Sequence, residues 1–237
     1  MTPKIKQPKT NEDLIAIVKG LDVKPEDFIL AIGGSGDQAL ALSEYARKVI
    51  AVDIDKSQVK HMSRLVKLLE RGDYNRFLNE RSVSANMLRI PNEVSKLLGV
   101  GMGDGRFYFN PTNLKRIRKR LEVLEIREES ILDTIKKEYG FNKIYLSNAL
   151  GMDKIPGENH NMENIIKYDD IPKVLQLIKE KLPEDGLVYV SNGETIVDFL
   201  DGHELQLDRY LTQFAKDPRW IPIVFRKVNN QTNYSKR

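Results

Sequence analysis

The segment FILAIGGSGDQAL (residues 28–40) runs from a continuous apolar stretch through a glycine-rich turn into a helix-forming stretch. Residues 28–32 carry no polar side chain, the pattern of a strand buried on both faces. Gly33, Gly34, Ser35 and Gly36 then let the backbone turn sharply and approach a ligand with little side chain in the way. The helix expected over 37–47 presents N–H groups and its positive dipole end to an anionic group.

Outward from this turn the same rhythm repeats. KVIAVDI (48–54) reads as a second buried strand. Residues 57–71 read as an amphipathic helix with Val59, Met62, Leu65, Val66 and Leu69 on one face. Strand, helix, strand, helix in so short a span indicates parallel βαβ units. A short helix over 11–20 precedes them. The alternation breaks over 72–119, which holds Tyr74, Phe77, GVGMGDG (99–105), FYFNP (107–111) and LKRIRKR (114–120). This stretch is expected to be a mostly helical insertion lying over the sheet edge. Strands are then expected over 121–126, 143–147, 187–191 and 221–227, and helices over 129–139, 170–181 and 208–215. The fold class is therefore α/β, a single domain over 1–237 with a mainly parallel sheet and helices on both faces.

Composition narrows the chemistry. The 237 residues are 41% hydrophobic, enough for one sizeable core, and the net charge of +4 is only mildly basic. The absence of cysteine excludes disulfides, cysteine-ligated zinc, iron–sulfur clusters and a cysteine nucleophile. His61, His160 and His203 have no metal-ligand spacing, so no metal is expected. The opening MTPKIKQPKTNEDL lacks the apolar core of a signal peptide, and no apolar run is long enough to span a membrane. A cytoplasmic location is the expectation. Lys115, Arg116, Arg118, Lys119 and Arg120 form a basic cluster that suits RNA phosphates or an anionic lipid surface, or equally a solvated helix face.

The second strand sharpens the glycine turn. Its end, AVDID, places Asp53 roughly 17 residues beyond Gly36, where an acid accepts the hydroxyls of a ribose. Asp55, just ahead of Ser57, fits a helix cap better. The pair of signals predicts a nucleoside site. Gly34 and Gly36 match the dinucleotide fingerprint G-x-G-x-x-G, whose last position is here Ala39, a tolerated replacement; these residues alone leave NAD and S-adenosylmethionine both open.

ILAIGGSGDQALAL followed by VIAVDIDKSQVKHMSRLVKLLERGDYNRFL resembles the betaine-lipid 3-amino-3-carboxypropyltransferase family. The likeness rests on Gly36, Asp37, Gln38, Ala39 and Leu40, then Asp53 and Gln58, then Tyr74 and Phe77; IYLSNAL (144–150) is similar to the family's fourth strand. The resemblance implies a Rossmann-like class I methyltransferase sandwich that uses S-adenosylmethionine. It also implies transfer of the aminocarboxypropyl arm to an acceptor hydroxyl or amine, ahead of methyl transfer to a small molecule or RNA. A non-catalytic nucleotide- or RNA-binding module is the alternative from another class. Many methyltransferases carry an acid near the position of Ala31; here none is present, and Asp37 follows the turn. The chain is short for the lipid enzymes and lacks an obvious membrane-binding segment, so a smaller acceptor is expected.

On this reading Gly33, Gly34, Ser35 and Gly36 lie by the methionine part and Asp37 takes its amino group. Asp53 holds the ribose, Ile54 borders the adenine, and Glu129 or Ser130 touches the adenine amine. Ser147 and Asn148, at the carboxyl end of the fourth strand, are candidates to hold the acceptor or the aminocarboxyl group. Tyr74 is the further catalytic candidate, with Tyr108 and His160 behind it, as groups that orient or deprotonate an acceptor. Packing within the insertion is the competing role for both tyrosines, and a solvated loop position for His160.

Overall fold

A computed structural model of the chain describes residues 9–10, 12–82, 108–150, 166, 168–200, 204–217 and 220–229. Among these residues seven strands form one sheet in the order β3-β2-β1-β4-β5-β7-β6. They are β1 (Phe28–Ile32), β2 (Lys48–Asp53), β3 (Leu124–Glu128), β4 (Lys143–Tyr145), β5 (Leu187–Val190), β6 (Leu205–Leu207) and β7 (Ile223–Lys227). The first five pair in parallel, whereas β7 runs antiparallel to both β5 and β6. This is the Rossmann-like sandwich expected from the sequence.

Helices cover both faces because the strand side chains alternate between two apolar clusters. On one face Ile29, Ala31, Val49, Ala51, Tyr145 and Tyr189 are buried under α1 (Leu14–Gly20), α2 (Asp37–Ser43), α3 (Lys56–Arg71), α4 (Tyr74–Ser82) and α5 (Pro111–Arg118). On the other, Leu30, Ile50, Val52, Ile144 and Val188 are buried under α6 (Ile131–Lys137), α7 (Ile171–Lys181) and α8 (Glu194–Leu200). A last helix, α9 (Arg209–Phe214), adds Leu211 to the first face.

Local chemistry sets where the helices begin. Asp13 caps α1 by accepting from the N–H groups of Ile15 and Ala16, and Asp55 caps α3 by accepting from Ser57. Asn110 and Ser130 do the same for α5 and α6. The second helix is shorter than the expected 37–47. The Arg47 and Lys48 N–H groups donate to the Asp27 carbonyl, which draws the chain into β2. The third strand starts later than expected: residues Leu121–Val123 form a 3₁₀ turn, and pairing with β2 runs from Leu124 opposite Val49 to Glu128 opposite Asp53. Helix α8 and strand β6 were not expected. Of the stretch 72–119, both ends are helical; GVGMGDG, Phe107 and His160 lie outside the described residues.

The amino ends of β1 and β4 are tied by a buried ion pair. Lys143 Nζ lies 2.6 Å from Asp27 Oδ2, with the two side chains 6% and 3% exposed. Asn142 Nδ2 donates to the other Asp27 oxygen at 2.7 Å, and its Oδ1 accepts from the Phe28 N–H. Lys143→Met would leave the Asp27 charge buried without its cation. Urea unfolding of this variant is expected to show a loss of about 3–5 kcal/mol; a loss below about 1 kcal/mol would remove the pair from the stabilising contacts.

Candidate functional site

The chain runs from β1 outward through β2 to β3, then returns to lay β4 on the other side of β1. The loops after β1 and β4 therefore separate at a topological switch point, where ligands of open α/β sheets bind. Along the carboxyl edge this topology sets out one row. Glu129 and Ser130 follow β3, Asp53 ends β2 with Ile54 after it, the glycine turn follows β1, Ser147 and Asn148 follow β4, and Ser191 follows β5.

The left half of the row is fastened by Asp53. Its Oδ2 accepts from the Gly34 N–H at 3.1 Å and its Oδ1 from the Asp55 N–H at 2.8 Å. Its backbone carbonyl accepts from the Glu129 N–H at 3.1 Å. Gln58 Nε2 donates to the Gly34 carbonyl at 2.8 Å, closing the turn from the α3 side. A carboxylate offers about four acceptor positions and is the kind of group that receives ribose hydroxyls. Next to it Ile54 is 58% exposed, a large apolar side chain on the ligand edge of the sheet.

Gly36 sits at φ +85° and caps α2, a conformation that L side chains rarely adopt. A Cβ there would also lie 2.8 Å from Met62 Cγ, and one at Gly33 would lie 2.5 Å from Met62 Cε. The turn is thus compressed against α3, and only Gly34 of its four residues is more than buried. The helix that follows opens with an acid of its own. Asp37 is wholly buried, so it rather than an outside anion complements the first turn. Its Oδ2 accepts from Arg81 Nη2 at 2.6 Å and from the Thr10 N–H at 2.9 Å. Gln38 Nε2 donates to Thr10 Oγ1 at 2.8 Å.

The right half of the row is organised by a residue that sequence reasoning passed over. Glu12, 4% exposed, reaches from the N-terminal segment to the ends of β4 and β5. Its carboxylate accepts from Ser147 Oγ at 2.7 Å, from Ser191 Oγ at 2.7 Å and from the Tyr145 hydroxyl. Ser147 takes φ +51°, in the left-handed region that costs a non-glycine residue of order 1–3 kcal/mol. The Glu12 bond and the Ser191 N–H donating to the Ser147 carbonyl at 2.7 Å hold it there. Burial pushes the Glu12 carboxyl above its ordinary range, and the three hydroxyls oppose that only in part. The only sequence signal for Glu12 was its place beside a helix cap, which says nothing of distant serines.

Other expected site residues are used elsewhere. The Glu129 carboxylate accepts from Thr134 Oγ1 at 2.9 Å and pairs with Lys137, whose ammonium holds it below the usual carboxylate range. Ser130 caps α6. Tyr74 packs half-buried against the first core cluster, and the Tyr108 hydroxyl donates to Glu44 at 2.9 Å. In the basic cluster, Arg116 pairs with Glu44 at 2.7 Å and Arg120 donates to the Ser43 and Ala46 carbonyls. Lys115, Arg118 and Lys119 are exposed. Among the described residues no group of His, Asp or Glu is placed to hold a metal, and no helix is long and apolar enough to cross a membrane.

Because the folded Glu12 carboxyl binds its proton more tightly than the unfolded one, its contribution to stability is full below its ordinary pKa of 4.5. That contribution falls as pH rises through the raised folded value. Glu12→Gln removes this titration. Urea midpoints from pH 4 to 8 are expected to show wild type losing stability relative to Glu12→Gln as pH rises; a pH-independent difference would contradict the burial of this carboxyl.

No family model matches the chain, and no curated protein matches it. Solved structures similar to it include a ribosomal protein L11 methylase from Lactobacillus delbrueckii subsp. bulgaricus, at 14% identity and a TM-score of 0.46, covering 91% of this chain and 78% of that one. A precorrin-6y C5,15-methyltransferase from Geobacter metallireducens GS-15 gives 8% identity and a TM-score of 0.49, over 91% and 87% of the two chains. An RNA methyltransferase from Salinibacter ruber, in complex with S-adenosyl-L-homocysteine, gives 12% identity and a TM-score of 0.46, over 90% and 87%.

Proposed function

We propose that this chain is an S-adenosylmethionine-dependent transferase that moves the 3-amino-3-carboxypropyl group to an acceptor hydroxyl or amine and releases methylthioadenosine. The observation that carries the cofactor is Asp53, bonded to Gly34 at the carboxyl edge beside the switch point. The residues present fit the group. Asp53 is a carboxylate at the strand end where ribose hydroxyls are accepted, and Ile54 offers an exposed apolar surface for the adenine. Among the described residues the buried Asp37 Oδ1, beside the turn, is without a hydrogen-bond partner. Residues 72–119 are taken as an insertion within the same single domain.

The sulfonium of S-adenosylmethionine activates the carbons bonded to it. In the proposed step the acceptor lone pair forms a bond to Cγ of the methionine chain. The Cγ–S bond would break with its electron pair passing to sulfur, giving neutral methylthioadenosine, and the acceptor's proton would pass to solvent water. Such an in-line displacement asks the protein mainly for orientation and a suitable electrostatic setting. The strand β1, FILAI, carries no acid, and Ala31 is fully buried within it. The nearest acid beyond the turn is Asp37, in keeping with the resemblance to the aminocarboxypropyltransferases. Ser147 and Asn148 lie on the acceptor side, with Glu12 holding Ser147 in place.

Methyl transfer to a small molecule or RNA is the second reading. The exposed Lys115, Arg118 and Lys119 would then suit an RNA acceptor as well as they would an anionic lipid surface.

Incubation with S-adenosylmethionine and hydroxyl- or amine-bearing acceptors, followed by chromatography of the nucleoside product, separates the routes. Methylthioadenosine formed in step with acceptor modification is the expected result; S-adenosylhomocysteine alone would select methyl transfer. Asp53→Ala is expected to weaken S-adenosylhomocysteine binding by roughly 100-fold or more in calorimetry, the loss of two charge-assisted hydrogen bonds. Unchanged affinity would remove Asp53 from the site.

A further inference from the structure

Beside the glycine turn lies a buried ion pair that its own surroundings leave half satisfied. Asp37 and Arg81 are 0% and 2% exposed and meet through one contact, Nη2 to Oδ2 at 2.6 Å. An arginine and a carboxylate can share two parallel bonds; here they share one. Among the described residues Arg81 Nε, Arg81 Nη1 and Asp37 Oδ1 are buried without a hydrogen-bond partner. Orphaned charged groups of this kind are costly and call for a complement.

The guanidinium is held in place by aromatic rings. Its central carbon lies 3.9 Å from the centroid of Phe109 and 5.3 Å from that of Phe77. Phe77 and Phe109 themselves pack edge to face at 5.3 Å, so the arginine is carried on a rigid platform. Asp37 follows Gly36 directly and Arg81 lies on α4, so the pair abuts the turn from the α3–α4 side. Asp37 Oδ2 already receives an N–H from the N-terminal segment at Thr10.

A ligand that completes both partners must bring an anion to the guanidinium edge and a cationic donor to the Asp37 oxygen. The chemistry that fits is a zwitterionic α-amino acid group. We propose that Arg81 and Asp37 form the receptor for the amino-acid end of S-adenosylmethionine, Arg81 taking the carboxylate and Asp37 the ammonium. Arg81 is the residue this adds to the site. Entry requires displacement of the segment that carries Thr10. The assignment rests on the cofactor reading above but not on which carbon is transferred.

The test is calorimetry of wild type and Arg81→Met with two ligands that share the nucleoside, S-adenosylhomocysteine and methylthioadenosine, the second lacking the amino-acid end. Arg81→Met is expected to lose about tenfold or more toward S-adenosylhomocysteine while methylthioadenosine stays within about twofold. Unchanged S-adenosylhomocysteine affinity, as when water alone satisfies the pair, overturns the assignment. Equal losses for both ligands also overturn it and make Arg81 a support of the fold. A wild type that binds neither ligand overturns the cofactor reading and the assignment with it. Should Arg81→Met fail to fold, wild type itself decides: decarboxylated S-adenosylmethionine is expected to bind at least about tenfold more weakly than S-adenosylmethionine, and equal binding overturns the proposal.

Discussion

Asp53 joins two consecutive strand-to-helix turns, and the rest of the edge depends on that joint. One oxygen fixes Gly34 in the turn after β1, the other fixes Asp55 at the start of α3, and its carbonyl holds Glu129 after β3. Three loops are thus referred to one residue at the end of one strand. The compression of Gly33 and Gly36 against Met62 follows from the same closeness of turn and helix. A Cβ at Gly33 or Gly36 would force the Met62 side chain to move.

The other half of the edge has a different construction. Glu12 and Thr10 come from the N-terminal segment and bind, respectively, the hydroxyls at the ends of β4 and β5 and the buried Asp37. The segment therefore lies across the switch point and contributes an acid to one side and a backbone donor to the other. That places two buried carboxylates, Asp37 with Arg81 and Glu12 with its three hydroxyls, on either side of the turn. The proposed group transfer would need orientation above all, and hydrogen bonds fix the residues on both sides of the turn.

What could be read in the sequence was what is local. The run from β1 through the turn to α2, and Asp53 at the end of β2, are encoded by neighbours in the chain, and both stand where expected. Asp55 capping α3 is likewise a three-residue signal. The third strand shifted because its register is set by β2 rather than by its own apolar run. The Glu12 network and the Asp37–Arg81 pair were out of reach. Ser147 and Ser191 lie 135 and 179 positions from Glu12, and Arg81 lies 44 from Asp37. Periodicity carries no information about such meetings. The roles expected of Glu129 and Ser130 were diluted for the opposite reason: their side chains serve the nearby α6.

The central claim is that a nucleoside sits across the ends of β1, β2 and β3. Amide NMR of the labelled chain during titration with S-adenosylhomocysteine tests it most directly. Saturable shifts concentrated at Gly34, Asp53, Ile54 and Glu129 are expected. No saturable change, or changes confined to residues away from this edge, would contradict the claim.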